Sequence, residues 1–82
     1  MISARQIRAA RALLDWTQQE LADRAIVSLN ALVRLEGGAV DSRMSTFTSI
    51  ERALSAGGIE FIASGTEGEG VRLKPNNHSD RQ

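Results

Sequence analysis

Four residues near the middle of the chain have types and spacing that could do chemistry together: Leu29, Asn30, Val33 and Arg34, in the stretch "SLNALVRLEGG". On a helix, at about 100° per residue, Asn30 and Arg34 point the same way with Leu29 and Val33 flanking them, whereas Ser28, Leu32 and Leu35 gather on the other side. One face can pack and the other is offered outward. An Asn amide bonds bidentately to adenine N6/N7, an Arg guanidinium to guanine O6/N7, and Leu or Val can touch a thymine methyl. Together they are candidate base-reading residues for the major groove of double-stranded DNA. Exposed Asn and Arg are also ordinary on a solvated helix face, so the surrounding elements must decide between the two readings.

Those elements are clearly punctuated. Ser3 and Gln6 form a capping box with Ile2 and Ile7 as its hydrophobic staple, which predicts a helix over about 3–14. Thr17 and Glu20 repeat the box with Trp16 and Leu21, opening a helix over about 17–24. Ser28 is a third N-cap, flanked by Val27 and Leu32, and this helix stops at Gly37-Gly38, near residue 36. After the polar loop "AVDSRMS", the positions Phe47, Ile50 and Leu54 recur at helical spacing as far as Gly57-Gly58, giving a fourth helix over about 45–56.

Beyond residue 58 the period becomes two. Ile59, Phe61 and Ala63 alternate with Glu60, Ile62 and Ser64, and Val71 and Leu73 alternate with Arg72 and Lys74. Strands over about 59–64 and 71–75 around "GTEGEG" form a hairpin, while "NNHSDRQ" has nothing to bury and reads as a disordered tail, 76–82. The expected fold is mainly α: a compact four-helix domain over residues 1–75, closed by a C-terminal two-stranded β-hairpin.

Composition narrows the function classes. A chain of 82 residues holds one domain and no deep pocket, so a small binding module is expected rather than an enzyme. Ten Lys/Arg balance ten Asp/Glu, which excludes a generally basic surface; any DNA affinity must come from local arrangement, and the slight basic excess falls in residues 1–52. There is no cysteine, and the aliphatic runs are too short to span a bilayer. Arginines interrupt the apolar stretch that a leader at "MISARQIRAARALL" would need, so a cytoplasmic, nucleoid-associated protein is expected. Glu20 and Asp23 lie one turn apart without a nearby general base, and His78 stands alone in the tail. "GTEGEG" lacks the Gly-Lys-Ser/Thr of a phosphate cradle. Accordingly no catalytic residue, metal, cofactor or small-molecule ligand is expected, and no membrane.

The second and third helices, joined at "AIVS", are spaced as a helix-turn-helix, in which the first lies across the DNA backbone and the second enters the groove. Thr17, Gln18 and Ser28 at the helix starts and Arg43 in the loop after the third helix are the candidate phosphate contacts.

The run "RAARALLDWTQQELADRAIVSLNALVRLEGG" resembles the lambda-repressor-like, Cro/Xre-type helix-turn-helix regulators, with "TQQELA" similar to their second helix and "VS...LVRLEGG" to their recognition helix and exit. The resemblance covers about residues 5–56. "GGIEFIAS...GVRLKP" further resembles a small bacterial Xre-like subgroup in which a strand follows the fourth helix. It implies that Gln18 clamps a phosphate, that Leu29, Asn30 and Arg34 read bases, and that Arg11 and Glu36 form an ion pair tying the first helix to the end of the third. Trp16 is then a core residue and not a base-stacking platform. The sequence departs at Ile26, where the family usually has a turn glycine; a β-branched residue there is strained by roughly 1–2 kcal/mol or forces another turn. Leu29 is also apolar where many relatives carry a polar reader.

The implied function is a transcriptional regulator, a repressor binding an inverted-repeat operator as a dimer. The alternative is a protein-interaction module, an antitoxin or anti-activator with a protein partner and secondary or lost DNA binding. For assembly, a hairpin register pairing Phe61 with Leu73, Ala63 with Val71 and Glu60 with Lys74 sets Ile62 beside Arg72 on an open outer edge. Ile62 and Arg72 are therefore the expected homodimer interface.

Overall fold

The computed structural model describes residues 2–39 and 43–75; the expected tail with His78, and residues 40–42 of the loop before the last helix, lie outside the described residues. Four helices precede a hairpin: α1 (Ala4–Leu14), α2 (Gln18–Ala25), α3 (Leu29–Glu36), α4 (Met44–Ala56), β1 (Ile59–Ile62) and β2 (Gly70–Leu73). The protein is mainly α, as its patterning predicts.

Each of the first three helices begins at its expected cap. The Ser3, Thr17 and Ser28 hydroxyls accept from the backbone N–H groups of Gln6, Glu20 and Ala31 at 3.1, 3.0 and 3.0 Å, satisfying donors that the helix cannot. Only the first box is reciprocal, with the Gln6 Oε1 accepting from the Ser3 N–H at 2.9 Å. The expected second box is half made, because Glu20 turns to Arg24, one turn on, at 3.0 Å. An exposed carboxylate gains comparably from either partner, and the i,i+4 guanidinium carries a full charge.

The core gathers one face of every element. Ile7, Leu21, Leu32, Leu35, Ile50 and Leu54 are fully buried, with Ile59 from β1 closing the set and Trp16, Phe47, Phe61 and Val71 packed around it. α2 lies against α3 and α4, α1 against β2 and α3, and α4 against β1. At the α4 exit, Gly57 has ordinary helical φ (−79°) but sits under Trp16: a Cβ there would stand 2.8 Å from the indole Cη2. Space, not backbone freedom, requires this glycine.

Ile26 answers the question of the missing turn glycine. It takes the left-handed conformation (φ 57°, ψ 50°) as the C-cap of α2, and the Val27 N–H closes the helix end on the Ala22 carbonyl at 3.0 Å. The left-handed turn is made without glycine and the strain, about 1–2 kcal/mol, is accepted. Its side chain, 90% exposed, recovers nothing by burial in the monomer.

The hairpin corrects the expected register. Ile59 pairs with Leu73, Glu60 with Arg72, Phe61 with Val71 and Ile62 with Gly70, two residues away from the expected pairing, and the strands stop at Ile62 and Leu73. A two-residue slip leaves every side chain on its own face, so alternation could not distinguish the registers. Contacts from elsewhere do. The Gln6 amide, itself buried, donates to the carbonyls of Ile62 (3.0 Å) and Gly70 (2.9 Å), capping that pair as the last of the ladder, and the Lys74 N–H bonds the Gly58 carbonyl (2.8 Å) at the other end. The expected Glu60–Lys74 charge pair is replaced by Glu60–Arg72 at 3.5 Å.

Glu69 fastens the loop to the start of α1, accepting from the Ser3 hydroxyl and from the Arg5 guanidinium, each at 2.9 Å. The Ser3 bond first, then Arg5, holds its carboxyl below the usual carboxylate range. Because the folded pKa is the lower one, the latch supports the fold at neutral pH and is lost as pH falls through that depressed value.

Two substitutions separate strain from space. Ile26→Gly should raise stability by about 1 kcal/mol, since relief of the left-handed strain exceeds the added freedom of the unfolded chain. Gly57→Ala should lower it by about 1–3 kcal/mol through overpacking on Trp16. Urea denaturation followed by the fluorescence of Trp16 checks both.

Candidate nucleic-acid interface

α3 presents the arrangement that its wheel requires. Leu32 and Leu35 are fully buried, while Leu29, Asn30, Val33 and Arg34 are all exposed along the opposite side. Leu29 and Val33 keep 38% and 43% of their surface open to solvent, although the same helix buries Leu32 and Leu35 completely. The four candidate base readers thus share one continuous outer face.

What holds that face in place is the end of the same helix. Glu36, 3% exposed, accepts from Arg11 through both oxygens, Nε to Oε2 at 2.9 Å and Nη2 to Oε1 at 3.0 Å, and from the Gln18 amide at 3.1 Å. Arg11 also donates to the Trp16 carbonyl at 3.1 Å, and Arg8 donates to the Glu36 backbone carbonyl. Three helices therefore converge on one carboxylate, and its partner Arg11 also holds the α1–α2 connection. Burial of an unpaired carboxylate is prohibitive; here both oxygens are met, and no buried side-chain polar atom among the described residues lacks a partner.

The four expected phosphate contacts do not sit alike. Ser28 and Arg43 come together across an open groove lined by Ile26, Val27, Ser28 and Ala31 on one side and Arg43, Ser45, Thr46 and Ser49 on the other. Arg43 is the N-cap residue of α4 and makes no side-chain cap bond, so its side chain is exposed beside the helix start. Thr17 is exposed at the start of α2, its oxygen engaged in the cap and its hydroxyl proton still able to donate. Gln18 is turned toward Glu36, which sequence reasoning placed only with Arg11.

Arg8 and the hydroxyls of Ser45, Thr46 and Ser49 were not expected here. Arg8 lies three residues before Arg11, hence on the same face of α1, a spacing that was legible. The hydroxyl wall was not, because it depends on how α4 lies against the turn. Of the expected dimer residues, Arg72 is exposed and engaged by Glu60, and Ile62 is half-buried opposite Gly70 rather than beside Arg72.

A helix-turn-helix family model, of the Cro/C1 type, matches residues 7–59, from within α1 to the first residue of β1. The chain belongs to that family. Its members are DNA-binding regulatory domains and not enzymes. No curated protein matches the chain. In this helix-turn-helix protein no helix among the described residues is long and apolar enough to cross a membrane, and none of their Asp and Glu side chains cluster in threes as metal ligands would.

Arg11→Ala should cost about 3 kcal/mol of stability, because it strands the buried Glu36 carboxylate. Calorimetry or urea denaturation checks this, and an unchanged melting temperature would deny the network its role.

Proposed function

We propose that the protein is a repressor that reads an inverted-repeat operator as a homodimer, laying α3 in the major groove of each half-site. The observation that carries this reading is the outer face of α3, where an amide and a guanidinium one turn apart stand exposed between two aliphatics. Asn30 and Arg34 supply the bidentate hydrogen bonds to base edges, and Leu29 and Val33 line the contact. Thr17, Ser28 and Arg43 meet phosphates on either side. Gln18 joins them by donating the second hydrogen of its amide while the first stays on Glu36, so that one side chain couples the clamp to the core. With zero net charge the protein relies on this local cluster rather than on a basic surface. Dimerisation through the hairpin is supported by its two strands, which form a sheet of only two among the described residues and so keep outer edges open. A two-fold dimer then spaces its recognition helices by about one helical turn of DNA.

Gel retardation on the protein's own promoter, across a salt series, tests the reading. Specific, strongly salt-dependent binding is expected. Retardation that appears only when a second protein is supplied would favour an antitoxin or anti-activator instead. Asn30→Ala and Arg34→Ala should each cost roughly 1–3 kcal/mol of specific binding and relax preference at one base pair per half-site. Gln18→Ala and Arg43→Ala should weaken all sequences alike, and Arg43→Ala should also lessen the salt slope by about one unit.

Sedimentation addresses assembly. The wild type should be dimeric at micromolar concentration without DNA, and Ile62→Asp, checked for folding by circular dichroism, should be monomeric. A monomeric wild type or a fully dimeric variant would dismiss the hairpin interface.

A further inference from the structure

The two edges of the hairpin are not equivalent. The Lys74 N–H bonds the Gly58 carbonyl, which fixes the alternation of the ladder: Gly58 with Lys74, Glu60 with Arg72 and Ile62 with Gly70 are the hydrogen-bonded pairs. The backbone groups of Ile59 and Phe61 on β1, and of Val71 and Leu73 on β2, therefore turn away from the neighbouring strand. On β1 that outward row is sealed at Ile59, which is 1% exposed where β1 lies against α4. On β2 it is open. Leu73 is 45% exposed, Val71 is only partly buried, and no backbone group that these two turn outward meets a partner among the described residues. Beside this edge runs a groove between α1 and β2, lined by Arg5, Gln6 and Ala9 on the helix and by Glu69, Gly70 and Val71 on the hairpin. The strand stops at Leu73, and Pro75 has no N–H with which to prolong it. Two N–H and two C=O groups are thus on offer, placed symmetrically about Arg72. Such a set is complementary to itself: a second β2, run antiparallel about a two-fold axis at Arg72, sets Val71 of each copy opposite Leu73 of the other and meets all of these groups.

We infer that the partner of the β2 edge is β2 of a second copy, giving a continuous four-stranded sheet in the order β1-β2-β2-β1, with Leu73 of each copy entering the α1–β2 groove of the other. This rests on the homodimer reading above and deepens it, since it names the strand, the axis and the register. Val71 and Leu73 share the face of the sheet turned to α1, so the incoming leucine is covered by Val71 and Ala9 instead of water. On the outer face the two Arg72 guanidiniums meet across the axis, and each is offset by its own Glu60 at 3.5 Å. Ile62 acts from within the hairpin. Its Cδ1 lies 3.8 Å from where a Cβ on Gly70 would stand, so it covers the first residue of β2, and an aspartate there loosens the strand that pairs.

The chain has no cysteine, so single cysteines introduced into the full chain report the register directly. Arg72→Cys places two thiols across the axis at a Cα separation of about 4.5 Å, within disulfide reach, whereas Glu60→Cys places them three strand spacings apart, about 14 Å. Under mild oxidation, non-reducing electrophoresis should show Arg72→Cys as a covalent dimer and Glu60→Cys as a single chain. Both variants break the same Glu60–Arg72 pair, so its loss does not account for the difference. Leu73→Ala, checked for folding by circular dichroism, should weaken dimerisation in sedimentation by roughly thirty-fold, because one part-exposed leucine per copy leaves the interface. A dimeric wild type whose Arg72→Cys variant crosslinks no faster than Glu60→Cys, or whose Leu73→Ala variant dimerises as tightly as the parent, would overturn the β2 pairing and leave the homodimer standing. A wild type that stays monomeric at micromolar concentration would overturn both.

Discussion

The buried Glu36 carboxylate is the constraint on which the rest of the protein depends. It ends α3, the helix whose outer face is the candidate DNA surface; Arg11 of α1 meets both of its oxygens, and Gln18 of α2 adds a third bond. Helices of eight residues, as α2 and α3 both are, do not persist alone in water. Aliphatic packing holds them together but tolerates small rotations, whereas a bidentate guanidinium–carboxylate pair fixes distance and angle at once. The buried pair adds little net stability over a well-packed apolar alternative. Its contribution is to make one orientation of α3 much better than its neighbours.

A second buried polar group does the same at the other end of α1. The Gln6 side chain accepts from the Ser3 N–H with its oxygen and donates to the Ile62 and Gly70 carbonyls with its nitrogen, so one amide caps a helix and terminates a hairpin. Glu69 then ties the loop to the same helix start through Ser3 and Arg5. α1 is thereby the strut between α3 and the hairpin, with a polar network at each end and Ile7 and Ala10 fully buried between them.

The candidate interface mixes charged and apolar side chains on a chain of zero net charge. Ten basic residues are balanced by ten acidic ones, and around α3 the exposed aliphatics Ile26, Leu29 and Val33 and the hydroxyls of Ser28 and Ser45 stand beside Asn30, Arg34 and Arg43. Ile26 belongs to this pattern, since the chain keeps a strained, 90% exposed isoleucine where a glycine would relieve the backbone.

The sequence by itself determined the elements and the identity of the outward face. Ser3, Thr17 and Ser28 mark helix starts because a side-chain oxygen there meets an orphan backbone donor, and the spacing of Leu32 and Leu35 sends Asn30 and Arg34 to the opposite side of the helix. These are local rules, written in neighbouring residues. Arg11 and Glu36 were legible as partners only through the family resemblance, since nothing in a separation of 25 residues announces contact. The tertiary structure alone decided the hairpin register, the engagement of Gln18 by Glu36, the hydroxyl wall of α4 opposite Ser28, and the choice of Ile26 between strain and a new turn. Each of these is a competition between partners of similar local merit. It is settled by groups remote in sequence, whose positions exist only once the core has closed.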